Sequence, residues 1–217
     1  MRKLCLALTA AASLAAIAPA FAAEPPEPPI SNPTSIVDSA DPEKIAEMMR
    51  ELGALQVQVR EAQGTKVVTF SYGEVPYNVG FSLCDVRPGK CLAATTIVVV
   101  NLGTATVPPL ESLNSVNAGM FVTAVKLDAN RFAVGRVNIV DGGVTKKNLA
   151  INVGSFVVTF QALIKALDQQ VVASAPSRNA YLSAPVRPRA ELATPADIAR
   201  ITKAMLANYA TTLPRRR

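Results

Sequence analysis

Histidine and tryptophan are both absent from the 217 residues, and cysteine occurs three times. Without imidazole there is no Ser-His-Asp or Cys-His triad, no His-ligated zinc site and no ordinary charge switch near neutral pH. Few residues remain whose types and spacing could do chemistry. Cys84 and Cys91 flank Asp85-Val86-Arg87-Pro88-Gly89-Lys90. Pro-Gly is the residue pair of a type II turn, so the two thiols can face each other across a hairpin. The spacing is not C-x-x-C, and no histidine or further cysteine completes a coordination shell. A structural disulfide is therefore expected, with no metal and no cofactor.

Asn114 and Asn117 stand three apart and share a helix face. Asparagines so placed suit the capping of backbone groups at a helix-to-strand junction, or a polar contact to a peptide or ligand. Asp141-Gly142-Gly143 lacks the further glycines and lysine of a phosphate-binding loop. Glu43 and Glu47 lie on one exposed helix face, where carboxylates are solvated and not catalytic. No catalytic residue is expected. Nor does any motif support a His-free hydrolase using Ser-Lys or paired carboxylates.

The elements that must position these residues begin after an address. Arg2 and Lys3 precede an apolar run, Leu4 to Ala18, and Ala20-Phe21-Ala22 supplies the small residues that a signal peptidase reads. Residues 1–22 are expected to be a cleaved secretory signal, with the cut between Ala22 and Ala23, which places the protein in the periplasm or outside the cell. No later stretch reads as long enough to span a bilayer. Cleavage removes Cys5 and two positive charges, so the net charge falls from +6 to +4 and one cysteine pair remains.

Pro25, Pro26, Pro28, Pro29 and Pro33 make residues 23–41 an expected extended linker. Asp41-Pro42 is an N-cap followed by proline at the first helical position, and Ile45, Met48, Met49 and Leu52 recur at helical spacing until Gly53. Strands are expected over 55–60, with Leu55, Val57 and Val59 on one face, then over 66–72, 77–84, 92–100, 121–126 and 131–139. Ile97-Val98-Val99-Val100 is an unbroken apolar run of the kind found where a strand is buried on both faces. A covering helix or a homodimer interface would account for it equally. A short helix is expected over 110–118. A long one follows Thr145, marked by Leu149, Val153, Phe156, Phe160, Leu163 and Leu167. Residues 42–170 thus form one α+β domain, an antiparallel sheet of five to six strands with N-terminal, short middle and long C-terminal helices.

Pro176, Pro185 and Pro188 mark residues 171–193 as a second linker. Residues 194–217 are expected to hold an amphipathic helix, with Thr194 and Asp197 as a capping box, ending in Arg215-Arg216-Arg217. Residues 41–168 hold 12 basic and 11 acidic side chains, whereas residues 169–217 hold 8 and 2, so the basic character belongs to the tail. That tail could meet an anionic envelope surface. Nucleic acid is not an expected partner of an exported chain with few aromatics.

The order of elements over residues 42–168 resembles the YbjN-domain family of bacteria. The resemblance is carried by Val79-Gly80-Phe81-Ser82-Leu83-Cys84 with Cys91, by Leu113-Asn114-Ser115-Val116-Asn117, and by Phe121 onward with Leu127-Asp128. The family often has Trp before the second Asn and Arg before the Phe, where this chain has Val116 and Met120. The resemblance implies a fold like that of type III secretion chaperones, often dimeric, and a sensory-regulatory role without established catalysis. The expected function is therefore an exported, non-enzymatic module that binds itself or an envelope or secreted protein, with Ile97, Val98, Val99 and Val100 as candidate interface. The alternative is a periplasmic carrier holding a small apolar ligand between sheet and helix, its cavity lined by Phe81, Phe156 and Phe160.

Overall fold

The computed structural model describes residues 30–62, 64–86, 89–103, 122–174 and 188–212. The chain enters through β1 (Ile36–Val37) and α1 (Pro42–Glu51). Asp41 caps α1 as its sequence requires, its carboxylate accepting the N–H of Glu43 at 2.9 Å and of Lys44 at 3.3 Å. Gly53 ends the turn with φ +80°, the left-handed region open to glycine. Next come β2 (Leu55–Ala62), β3 (Thr65–Tyr72), β4 (Val75–Ser82), β5 (Ala93–Asn101), β6 (Thr123–Lys126), β7 (Arg131–Ile139) and β8 (Val144–Thr145). The described chain closes with α2 (Lys146–Ser174), β9 (Arg189–Glu191) and α3 (Pro195–Thr212).

The architecture is α+β. Seven strands form one sheet in the order β2-β3-β4-β5-β7-β6, and every pairing in it is antiparallel. The seventh strand, β9, pairs with β5 at Val99, Val100 and Asn101. β4 covers the same edge of β5 only from Ala93 to Ile97, so β9 continues the ladder where β4 leaves it. The strand count thus exceeds the expected five to six, because part of the presumed linker at 171–193 is used as a strand. The presumed linker at 23–41 is also partly structured. Ile36 and Val37 pair with Thr145 and Val144, and the Ala40 N–H donates to the Cys91 carbonyl at 2.7 Å. Prolines exclude a core from this stretch but do not prevent it from lying against one.

Period-two alternation sorts the sheet residues between two layers. On one face Val68, Phe70, Tyr77, Val79, Val98, Val100, Phe132 and Val134 meet Ile45, Met48 and Met49 of α1 and Leu149, Val153, Phe156 and Phe160 of α2. On the other, Val67, Ile97, Val99, Leu127 and Ala133 meet Ile198, Ile201 and Met205 of α3. One residue departs from the expected facing: Leu55 is 59% exposed while Val57 and Val59 pack toward the first core. A register shift between Leu55 and Gln58 inserts an extra residue there, with Gln56 at φ 53°, and turns Leu55 to the opposite face. Thr145 caps α2 by accepting the Asn148 N–H at 3.2 Å. Lys146–Lys165 of that helix is long and apolar enough by composition to cross a membrane, contrary to the expectation that no later stretch would be. Its Leu149, Val153, Phe156, Phe160 and Leu163 are nevertheless buried in the first core. The helix expected over 110–118 lies outside the described residues.

Tyr77 sits at the centre of that first core. Its ring stacks on Phe70 at 5.2 Å and meets Phe156 and Phe160 edge-on at 6.3 and 6.0 Å. Burial pushes the Tyr77 phenol well above its ordinary range, helped by the neighbouring Tyr72, whose own phenol is raised by burial. The folded protein therefore keeps protons that the unfolded chain surrenders near pH 10. Their contribution to stability is whole below that pH and declines as pH rises beyond it. Denaturant midpoints followed by circular dichroism should fall above about pH 10. Tyr77→Phe, which removes a hydroxyl with no hydrogen-bond partner among the described residues, should leave stability at pH 7 within about 1 kcal/mol and flatten the alkaline decline.

Candidate functional site

The two acidic residues of the basic tail both approach one arginine of the sheet. Arg131 at the start of β7 is held by Asp128 at 2.7 Å and reaches Glu191 of β9 at 3.5 Å and Asp197 of α3 at 3.6 Å. Glu191 also accepts the Asn101 side-chain amide at 3.2 Å. Asp197 completes the expected capping box, since its carboxylate accepts the Thr194 N–H at 3.2 Å while the Thr194 hydroxyl accepts the Asp197 N–H at 3.1 Å. Arg131 keeps the Asp128 carboxyl below the usual carboxylate range. Partly exposed ion pairs contribute little stability singly, but here one guanidinium lies within reach of both tail elements.

Two glycines let α3 approach the sheet. A Cβ on Gly135 would stand 2.5 Å from Met205 Cε and 2.8 Å from the Thr96 carbonyl oxygen; one on Gly80 would stand 2.7 Å from Ile198 Cγ2. Any larger residue would hold the helix off its seat. The surface beneath α3 is not purely apolar. Asn78, Thr95 and Thr202 are more than nine-tenths buried, and Asn78 Nδ2, Thr95 Oγ1, Thr202 Oγ1 and Ser82 Oγ have no hydrogen-bond partner among the described residues. Each such group costs roughly 1–3 kcal/mol of desolvation when nothing replaces its water.

Beside this polar seam a groove of about 480 Å³ opens between α3 and the ends of β3 and β4. That volume lies within the range of small-molecule sites, about 300–1,000 Å³. Its walls are mostly apolar, among them Val67, Phe81, Ile198 and Leu206, and its polar residues are Thr65, Ser82, Thr202 and Lys203. A second cavity, about 310 Å³, lies between the 31–39 segment, α1 and the start of α2. Two ion pairs stand there: Lys146 holds Glu51 at 2.7 Å, with Ser31 donating to the same carboxylate, and Lys90 holds Asp38 at 2.8 Å. The hydrogen bond from Lys146 keeps the Glu51 carboxyl below its ordinary range. Those salt bridges tie the 31–39 segment to α1 and α2.

Cys84 and Cys91 come together with their sulfurs at bonding distance, 2.06 Å. Gly89 in the intervening loop takes φ +72°, as the glycine of a Pro-Gly turn does. Ile97, Val98, Val99 and Val100 are each 0% exposed, so the candidate interface has no free surface in this chain. Both faces are taken by the chain's own helices, which corrects the reading of this run as a contact for another molecule. The aromatic cavity expected beside the long helix is likewise filled, since Phe156 and Phe160 pack directly on Tyr77. Phe81 does line a groove, but opposite α3. Asn114, Asn117, Arg215, Arg216 and Arg217 lie outside the described residues. What the sequence reading missed is the polar seam. Its signal was present as Asn78, Gly80 and Ser82 on one face of β4, Thr95 in β5 and Thr202 within the apolar stripe of α3.

No protein-family model matches the chain, and no curated protein or solved structure is significantly similar to it.

Replacing both cysteines by alanine should lower stability by about 2.5 kcal/mol, the loop-entropy value for so short a ring, measured by chemical denaturation. Thr95→Val, which removes an unpaired buried hydroxyl at nearly constant volume, should raise stability by about 1 kcal/mol in the same assay. A loss instead would show that the hydroxyl is satisfied.

Proposed function

We propose that the protein is an exported, non-enzymatic binding module and that its ligand occupies the groove between α3 and the sheet. One observation carries this reading: a largely apolar groove of about 480 Å³ whose polar lining residues are Thr65, Ser82, Thr202 and Lys203. An apolar pocket with a few convergent polar groups is the usual form of a small-molecule site. The signal-like first 22 residues and the paired Cys84 and Cys91 support an oxidising compartment. The non-catalytic, regulatory character is the one that the YbjN-type resemblance implies. Self-association through Ile97–Val100 is the weaker reading, because those side chains are already covered.

Ala199 is exposed and lines the groove, so Ala199→Trp should fill it without touching either core. Binding of anilinonaphthalene sulfonate, followed by fluorescence, should be lost in this variant while its thermal midpoint is unchanged. Undiminished dye binding would overturn the groove as the site.

A further inference from the structure

We infer that the Cys84–Cys91 disulfide is the latch of a redox-sensitive strap: residues 31–40 stay seated over the second cavity while the bond is closed and loosen when a dithiol opens it. This device is independent of the groove beside α3. The strap forms one wall of the cavity, opposite Ile45 and Met48 of α1 and Leu149 of α2. At its start Ser31 donates to Glu51, and the carbonyls of Pro33 and Ser35 accept the N–H groups of Lys147 and Lys146 at 2.9 and 2.8 Å, donors that the first turn of α2 leaves open. In its middle Ile36 and Val37 pair with Thr145 and Val144. At its end both polar contacts go to the disulfide loop. The Ala40 N–H donates to the Cys91 carbonyl at 2.7 Å, and Lys90 holds Asp38 at 2.8 Å.

Asp38, Ser39 and Ala40 belong to no helix or strand, so their place depends on the loop that holds them. The Asp38–Lys90 pair is about half exposed on both sides and adds little by itself. The β4–β5 ladder stops at Ser82 and Ala93. Beyond it the Cys84–Cys91 bond is the covalent tie that keeps Lys90 and Cys91 beside the strap. Leu83, immediately before the bridge, is held at φ 57°, a left-handed conformation that a leucine rarely adopts. Opening the bond frees Leu83 to return to the ordinary region, which re-aims the chain after it and draws the Cys91 carbonyl from Ala40. Both cysteines are only half-buried, and Asp85, Val86, Gly89 and Lys90 between them are exposed, so the bond lies within reach of an external dithiol. A C-x-x-C dithiol of another protein is the class of reductant. One of its thiolates attacks a bridge sulfur, and the S–S bond breaks as a mixed disulfide forms. Its second thiol then closes the reductant's own disulfide, and two electrons and two protons end on Cys84 and Cys91. With the strap loose, Ile45, Met48 and Leu149, all buried while it is seated, face solvent.

The test compares amide exchange, read by NMR, in the oxidised protein and in the protein reduced with dithiothreitol. The Ala40 N–H should exchange at least about tenfold faster after reduction, the factor expected of one net hydrogen bond, while the amides of β5 and β7 keep their rates. The double variant Cys84→Ala, Cys91→Ala should exchange like the reduced protein and ignore dithiothreitol. In that variant hydrogen peroxide should oxidise Met48, under the strap, faster than in the bridged protein, with Met205 under α3 unchanged. Ala40 exchange indifferent to reduction would overturn the switch, as would a rise shared equally by β5 and β7. So would a bond that dithiothreitol opens only in denaturant, which would leave the bridge a brace.

Discussion

β5 is buried along its length, with Ala93 to Val100 all inaccessible, and the rest of the molecule is arranged to satisfy it. Successive side chains point to opposite faces, so Val98 and Val100 demand one apolar layer and Ile97 and Val99 a second. Burying each such side chain contributes roughly 1.5–3 kcal/mol relative to leaving it in water. α1 and α2 provide the first layer from residues close in sequence to the sheet. Among the described residues the second comes from α3, with β9 pairing β5 beside it. Arg131 lies within ion-pair distance of Glu191 and Asp197, and Gly80 and Gly135 clear the space that the helix needs.

The two layers are built differently. Under α2 the space is occupied by Phe70, Tyr77, Phe156 and Phe160 in ring contact. Under α3 the apolar cluster is small, and glycines stand where the helix comes closest to the sheet. Local departures from packing logic concentrate where proteins bind or react, and here they border the groove on which the functional proposal rests.

Local rules made much of the fold legible. Asp41-Pro42 with Gly53 bounded α1, the stripe from Leu149 to Leu163 marked α2, and alternation placed most strands of the sheet within a residue or two of their ends. Leu55 escaped because a bulge changes facing without changing the alternating pattern. β9 escaped because Arg189-Ala190-Glu191 is short, polar and close to Pro188, and becomes a strand only by occupying the stretch of β5 that β4 vacates. The groove was illegible for a related reason. Ser82, Thr202 and Lys203 come from segments more than a hundred residues apart, and nothing in either segment specifies the other.

By itself the sequence excluded imidazole chemistry, paired Cys84 with Cys91 and required the Ile97–Val100 run to be covered on both faces, since each of these follows from residue type or from a period of two along the chain. It left open whether the cover would be the chain's own or a second molecule's. Only the tertiary structure decided that: the tail folds back with α3 burying Ile198, Ile201 and Met205 against β5 and its neighbours, and Arg131 lying within ion-pair distance of Glu191 and Asp197. The groove arises where that returning helix meets the ends of β3 and β4, a juxtaposition that no local pattern encodes.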